Sequence, residues 1–269
     1  MLKKEILDIF ADEKIKYAEA VPFDILTKNP NSQKTFSFEV KSVIIFLIPY
    51  FSGLHSGNIS LYSMAKDYHF YCKMLEERII PQIKNMTGDA VLCADTSPVY
   101  ETEAASLAGL GMIGQHGLLI NPEYSSFVFI GGIFTPIPYE ELTDKRSFEK
   151  SYCTMCGKCL SSCPVSLDKN ECISALTQKK GELTDKDNEL LKKHGSVWGC
   201  DICQLSCPYT EKMIKNGTVT EIEFFKNDLI HNITKDYLES VRKEEFIQRA
   251  FSWRGKKILE RNIEICEKK

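Results

Sequence analysis

The chain of 269 residues lacks the features that mark several classes of protein. It has no apolar run near the ~20 residues that a helix needs to cross a bilayer. Its formal net charge is only −3, which argues against a globally basic nucleic-acid binder. Its first residues read as an amphipathic helix and not as a secretory leader. The sequence therefore predicts a cytoplasmic protein with no membrane partner.

Cysteine is abundant, and its placement is uneven: eight of the eleven cysteines fall between residues 153 and 207. The first run has gaps of two, two and three residues before a Cys-Pro pair, which is the bacterial ferredoxin spacing for two iron-sulfur clusters. In that pattern three thiolates bind one cluster and the fourth crosses to the other. The first predicted ligand set is Cys153, Cys156, Cys159 and Cys207. The second is Cys163, Cys200 and Cys203 with Cys172, the one cysteine left in the segment.

Two other uses of these cysteines are open at this stage. Zinc also binds four thiolates, but its sites usually come as separated pairs without a final Cys-Pro. A disulfide framework is typical of small secreted chains, which this sequence does not resemble. Cys72, Cys93 and Cys266 lie outside the run and are interpreted as buried or incidental thiols. The spacing favours two 4Fe-4S clusters.

Hydrophobic patterning predicts a domain of mixed helix and sheet before the cysteines. Residues 43–48 and 127–130 are short apolar runs and read as strands buried on both faces. Residues 67–84 and 101–108 read as helices between them. Helices that alternate with buried strands favour an α/β fold, here over residues 1–148.

Two further segments are expected after this domain. Prolines and a charged run near 136–150 predict a solvated linker, and the cysteines then define a two-cluster ferredoxin-like domain over residues 149–209. A charged, exposed excursion is expected at 181–193. Residues 210–269 read as a helical tail whose final part, with nine Lys and Arg against five Glu, is interpreted as a solvated helix face. Its core candidates are Trp253, Ile258, Leu259 and Ile263.

A cluster bound by four thiolates has no vacant position for a substrate, so the chemistry is expected in the first domain. The densest polar segment there is Asp95-Thr96-Ser97-Pro98, followed by Glu101, Glu103 and the glycines of residues 109–114. Those glycines have the spacing of a dinucleotide fingerprint, which needs a strand before it and a helix after it. Here the order is reversed. A nicotinamide site is disfavoured, and Gly109 is interpreted as a helix end.

Nearly the whole chain, from the first helix to about Asn262, carries short motifs that occur together in one family. They are Asp95-Thr96-Ser97-Pro98, Gly109-Leu110-Gly111 with Ile113-Gly114, Leu118-Leu119-Ile120, Tyr62 with Asp67-Tyr68-His69, Cys172-Ile173-Ser174, Gly199-Cys200-Asp201, Cys203-Gln204-Leu205 and Cys207-Pro208. In these the chain resembles epoxyqueuosine reductase. The resemblance implies a fold related to reductive dehalogenases and reduction of the epoxide of epoxyqueuosine in tRNA. It also implies cobalamin beside two 4Fe-4S clusters, and an electron donor of flavodoxin or ferredoxin type.

By the same resemblance Asp95 is the expected catalytic proton donor. An alkoxide is a poor group to release without a proton, and burial is expected to raise the pKa of this carboxyl group towards neutrality. The alternative for Asp95 is a cap or turn residue before Pro98. The expected cofactor-binding residues are Tyr62, Asp67, Tyr68, His69 and Thr96. For the first four of them the alternative is a helix N-terminus with an aromatic packing face.

The chain departs from the family pattern at Thr102, Met112, Gln115-His116 and Gly132, where the family usually has Arg, Trp, Lys-Asn and Glu. The helical-repeat domain that helps full-length members to hold tRNA is not expected here. Two alternatives stay open. One is an electron-transfer protein whose first domain docks a partner, and the other is a paralogue that reduces a different small substrate.

Overall fold

The structure is a computed structural model that describes residues 2–267. The strands are β1 (Ala18–Pro22), β2 (Ser42–Pro49), β3 (Val91–Ala94), β4 (Met112–Ile113), β5 (Leu119–Ile120) and β6 (Val128–Thr135). The helices are α1 (Lys4–Asp12), α2 (Tyr68–Thr87), α3 (Glu101–Leu107), α4 (Lys158–Ser162), α5 (Ile173–Thr177), α6 (Asp185–His194), α7 (Ile202–Leu205), α8 (Pro208–Lys215), α9 (Lys235–Ser240), α10 (Lys243–Phe246) and α11 (Lys256–Glu267). None of the helices in this range is long and apolar enough to cross a membrane.

Four strands form the central sheet in the order β1-β2-β6-β3, and each neighbouring pair is antiparallel. Every residue of β2 is buried, as its apolar run predicts. Such a run does not encode the direction of the neighbouring strands. The expected α/β label is therefore corrected, because an antiparallel sheet with helices packed on it belongs to the α+β class.

Alternate side chains of β2 enter two different cores, because successive residues of a strand face opposite sides of the sheet. Ile44 and Phe46 join the larger core with α1 and α2, whereas Ile45 and Leu47 join a smaller core with α3. Helix α2 packs on β3, and α3 packs on β6 and β2. The end of β3 and the start of α3 therefore lie at the same edge of the sheet.

The helices predicted over 67–84 and 101–108 are confirmed, with small shifts at their ends. Asp67 caps α2, and its carboxylate accepts the His69 N–H at 3.0 Å. Gly109 has a φ of 77° and ends α3 in the left-handed region that suits glycine. The glycines after it lead into the β4–β5 hairpin, so this segment offers no helix N-terminus to a dinucleotide.

Short helices separate the cysteine loops. The stretch that was expected to be an exposed excursion contains α6, whose start is closed by a capping box between Thr184 and Asp187. Leu191 of this helix is fully buried, and α6 packs on α11. Most of the segment is exposed as expected, but the helix and its buried leucine were missed, because a single buried leucine in a charged helix gives a weak hydrophobic signal.

The tail folds back on the first part of the chain. Met213, Ile222 and Phe225 lie in the larger core with residues of α1 and α2. The Phe225 ring packs on that of Tyr71, with centroids 5.3 Å apart. The larger core is thus built from both ends of the chain.

Helix α11 packs on the cysteine segment through a third core. Leu259 and Ile263 are buried there with Trp198, as predicted, and Ile258 is half-buried. Trp253 was also predicted in the core, yet 59% of it is exposed. It lies in a 3-10 turn, Ser252–Arg254, before the start of α11 at Lys256.

Candidate active site and cluster cavities

One cavity of about 300 Å³ lies among the cysteine loops. The cysteines that line it are Cys153, Cys156, Cys159 and Cys207. Gln115 donates its backbone N–H to the Cys153 Sγ at 3.3 Å, a contact that stabilises a thiolate. The cavity brings together the first predicted ligand set, and the binding of iron by these residues stays a prediction.

A second cavity of about 750 Å³ lies beside the first. The cysteines that line it are Cys163, Cys172, Cys200 and Cys203, the residues of the second predicted set. Burial raises the pKa of the Cys200 thiol to about 11 and that of Cys203 to about 12. Thiolates in this place need a cationic partner, and an iron-sulfur core supplies one.

The cysteines surround cavities and do not converge on one point. A single zinc ion would hold each sulfur atom about 2.3 Å from its centre. Across residues 2–267 no group of three or more His, Cys, Asp or Glu residues has the geometry to hold one metal ion. All eleven cysteines are free thiols. Each predicted set of four cysteines lines one cavity, as two cluster sites would require.

A polar contact fixes the second cavity to the first part of the chain, and we call it the Asp201 staple. The Asp201 carboxylate is buried and accepts hydrogen bonds from the Ser60 hydroxyl at 2.5 Å and the Leu61 N–H at 2.7 Å. It also accepts one from the Gln204 amide at 3.1 Å. Burial raises the pKa of this carboxyl group, and the hydrogen bonds from Ser60 and Leu61 oppose that rise.

Gly199 allows the two segments to approach this closely. Its φ is 72°, and a Cβ atom there would lie 2.4 Å from the Cβ atom of Ser60. A larger residue would be strained in the backbone and blocked by the neighbouring segment. Docking of the cysteine loop therefore requires glycine directly before Cys200.

Asp95 lies directly after β3, and 66% of its side chain is exposed. Its Oδ2 atom is 3.7 Å from His69 Nε2, and His69 Nδ1 is 2.7 Å from Asp67 Oδ1. Hydrogen bonding to Asp67 and then to Asp95 raises the pKa of His69 to about 10. His69 in turn lowers the pKa of Asp95. The expected rise in the pKa of Asp95 is wrong for this structure, because the charged partner outweighs burial.

Asp95 does not cap a helix, but it lies in a turn, so only the turn part of the alternative from the sequence agrees with the structure. Helix α3 begins after Tyr100 and has no side-chain cap. The Asp95 N–H donates to Glu101 Oε1 at 3.0 Å. Burial raises the pKa of Glu101 to about 8, and the charge of Asp95 adds to the rise. The sequence around Glu101 indicates no role for this residue, because the turn at Asp95 is what brings the two residues together.

A row of contacting aromatic rings extends from His69, the partner of Asp95. The Tyr68 ring stacks on Phe129, with centroids 4.1 Å apart and an interplanar angle of 9°, and it also contacts His69 at 4.3 Å. Phe129 contacts Tyr50 at 4.5 Å. Tyr50 is buried, and Cys203 is among the groups whose charge acts on its hydroxyl. Contacting rings therefore run from His69 through Tyr68 and Phe129 to Tyr50.

An open cavity of about 930 Å³ lies beside Asp95, and we call it the polar cavity. Its lining residues are Asn29, Asn31, Ser32, Gln33, Lys34, Asp95 and Thr96. The Ser32 hydroxyl donates to the Thr96 carbonyl at 3.2 Å, which braces the turn after β3. Thr96 lines this cavity together with Asp95, and its binding of a cofactor stays a prediction. Tyr62 lies against the cysteine segment, where its hydroxyl accepts the Trp198 indole N–H at 2.8 Å.

The cysteine segment matches a family model described as a 4Fe-4S double cluster binding domain, over residues 152–210. The match agrees with the two cysteine-lined cavities in number and in position. The class of protein is therefore an iron-sulfur protein with two 4Fe-4S clusters.

Similar proteins identify the family. An epoxyqueuosine reductase from Lactococcus garvieae is 30% identical over 97% of this chain and 85% of its own length. The solved epoxyqueuosine reductase from Streptococcus thermophilus is 26% identical, has a TM-score of 0.78, and matches 97% of this chain and 80% of that one. The same fold occurs in an epoxyqueuosine reductase solved with an epoxyqueuosine-modified tRNA-Tyr stem loop, at a TM-score of 0.79, 21% identity and coverage of 98% and 80%. The chain belongs to the epoxyqueuosine reductase family of oxidoreductases.

Proposed function

We propose that this chain reduces the epoxide of epoxyqueuosine in tRNA to the alkene of queuosine. The reaction consumes two electrons and two protons, breaks both C–O bonds and releases the oxygen atom as water. Electrons enter from a flavodoxin- or ferredoxin-type donor and pass through the two clusters. The observation that carries the proposal is the Asp95–His69 pair, which lies at one end of a row of contacting rings formed by Tyr68, Phe129 and Tyr50.

The parts of the chain are assigned to this function as follows. Residues 149–209 transfer electrons, and their cluster ligands are the two sets of four cysteines that line the cavities. Residues 1–148 hold the cofactor and the substrate in a fold related to reductive dehalogenases. Residues 210–269 form a helical tail that supports both.

Cobalamin is the proposed cofactor of the first domain. When bound, it supplies a cobalt centre that the clusters can reduce. A corrin ring carries amide groups along its rim, and the polar cavity offers amide, hydroxyl and ammonium groups that fit them. Both ring nitrogens of His69 already face carboxylates, so this side chain does not ligate cobalt. The residues that would hold the group are Asn29, Ser32, Lys34, Tyr68 and Thr96.

Asp95 is the proposed proton donor. As a C–O bond of the epoxide breaks, its oxygen gains negative charge and needs a proton to leave. At neutral pH the Asp95–His69 pair holds one mobile proton, and it resides on His69 because the pKa of His69 is about 10. Asp95 therefore passes on a proton that it receives from His69, while Asp67 orients the imidazole ring.

The test is turnover by anaerobic protein loaded with both clusters and cobalamin. Epoxyqueuosine is supplied in tRNA and as the free nucleoside, with an artificial reductant, and queuosine is measured. Asp95→Asn should keep the fold, the iron content and cobalamin binding, while product formation falls by about 100-fold or more. Glu103→Gln is the matched control, since Glu103 lies on α3 and pairs with Lys150.

Two results would count against the proposal. Failure to bind cobalamin at micromolar concentrations would favour an electron-transfer protein. A fully loaded protein that reduces neither form of the substrate would refute the assignment to epoxyqueuosine.

A further inference from the structure

The backbone at Asp95 is held in an unusual conformation. The Thr96 N–H donates to the Ala94 carbonyl at 2.7 Å, which makes Asp95 the central residue of a three-residue γ-turn. The φ of Asp95 is 63°. A γ-turn with positive φ is rare and strained. Contacts outside the turn must therefore maintain it.

Glu101 makes the one side-chain contact to the Asp95 backbone that the described residues show. Its Oε1 atom accepts the Asp95 N–H at 3.0 Å. Whether charged or neutral, this carboxyl group offers the Asp95 N–H an acceptor, so the contact opposes the strain of the turn. Ser32 and Asn29 support the next two carbonyl groups, those of Thr96 and Ser97, and leave the Asp95 N–H to Glu101.

The surroundings of Glu101 fit this use better than they fit a surface ion pair. The side chain is half-buried, and within residues 2–267 His69 is the only cation that acts on it. The titratable groups around it are Asp95, His69, Tyr68, Cys72 and Cys93. Glu103 lies two residues further along α3. Its carboxylate instead forms an ion pair with the Lys150 ammonium at 2.7 Å and accepts a hydrogen bond from the Thr27 hydroxyl at 2.7 Å. The two neighbouring glutamates therefore have different tasks.

We propose that Glu101 is a positioning residue for Asp95: its carboxyl group holds the γ-turn that directs the Asp95 carboxylate towards His69. Without this contact the turn relaxes to an extended conformation, and Asp95 leaves the imidazole. The value of that geometry for catalysis rests on the proposed function, in which Asp95 passes a proton to the substrate. The structural part of the inference can be measured without turnover.

The protonation state of Glu101 does not break the contact. Its raised pKa, about 8, means that the neutral form predominates at pH 7. A neutral carboxyl group still accepts the N–H through its carbonyl oxygen. Glu101→Gln imitates this neutral form, whereas Glu101→Ala removes the acceptor.

The experiment follows the His69 ring by NMR in anaerobic protein that carries both clusters and no cobalamin. In the wild type His69 should titrate near 10. In Glu101→Ala its pKa should fall by about one unit, because Asp95 moves away and Asp67 remains. Glu101→Gln loses the same charge but keeps an acceptor for the Asp95 N–H, so it should lower the pKa of His69 less than Glu101→Ala does, and Glu103→Ala should leave it unchanged. An unchanged His69 titration in a folded Glu101→Ala protein would overturn the inference.

A second variant guards against a Glu101→Ala protein that does not fold. Glu101→Asp keeps the charge but is one methylene shorter, so it should also lower the pKa of His69. In the loaded enzyme Glu101→Ala should lower kcat by about tenfold or more with little change in KM, since substrate binding is retained. If His69 responds as expected but no variant turns over substrate, the proposed function fails and the role of Glu101 stands. Equal kcat in Glu101→Ala and the wild type would refute the role of Glu101 while turnover survives.

Discussion

Loss of the Asp201 carboxylate should strongly destabilise the protein. In Asp201→Ala the Ser60 hydroxyl, the Leu61 N–H and the Gln204 amide all lose their acceptor. Each buried donor without a partner costs about 1–3 kcal/mol, and loss of one member of a buried charged contact costs about 3–5 kcal/mol. Burial also raises the pKa of Asp201, so desolvation cancels part of its contribution. We therefore expect the free energy of unfolding to fall by about 3 kcal/mol.

The measurement is urea unfolding under anaerobic conditions, followed by circular dichroism and by the visible absorbance of the clusters. With a slope of about 3 kcal/mol per molar urea, the unfolding midpoint of Asp201→Ala should fall by about 1 M. Asp201→Asn keeps one acceptor oxygen and should lose less. Asp8→Ala, at an exposed position of α1, is the control and should stay within about 0.5 kcal/mol of the wild type. If Asp201→Ala unfolds at the same urea concentration as Asp8→Ala, the staple contributes nothing and the reasoning is refuted.

Three further outcomes are expected. The stabilisation that His69 gives to the folded state should be fully present below its ordinary pKa of 6.5 and be lost as the pH rises through about 10. An unfolding midpoint of the wild type that does not change with pH over this window would contradict the prediction. Gly199→Ala should destabilise the protein and lower its iron content, since the new Cβ would lie 2.4 Å from the Ser60 Cβ; an unchanged midpoint would mean that the loop can move aside. The wild type should contain about eight iron atoms per chain, and Cys172→Ser should lose one cluster and keep the other. Iron analysis and electron paramagnetic resonance measure this loss. Full iron content in Cys172→Ser would remove Cys172 from the ligands.

The features that could be predicted from the sequence depend on local spacing. The gaps between the cysteines grouped them into two sets, and each cavity is lined by one of those sets. Helix α2 was predicted because its apolar period and its capping residue, Asp67, lie within one short stretch. A family resemblance added Asp95 and His69 to the list, and the structure places them 3.7 Å apart.

The features that were missed depend on contacts between distant segments. Whether neighbouring strands are parallel or antiparallel depends on how the connections between them are routed. A buried apolar run has the same residue pattern in a parallel and in an antiparallel strand. The pKa of Asp95 depends on His69, and burial alone gave the wrong sign. The contact between Glu101 and the Asp95 N–H accompanies a positive φ at Asp95. The residue pattern of this segment does not predict that backbone conformation.

Folding of the larger core has to wait for a late part of the chain. Met213, Ile222 and Phe225 pack there among residues of α1 and α2. A ribosome adds about 5–20 residues per second from the N-terminus, so all eight cysteines of the cluster segment emerge before Phe225 does. The nascent first domain therefore exposes unfilled apolar surface at the time when the cysteine loops first become accessible to iron. Closure of the larger core and assembly of the clusters thus belong to the same late stage of maturation.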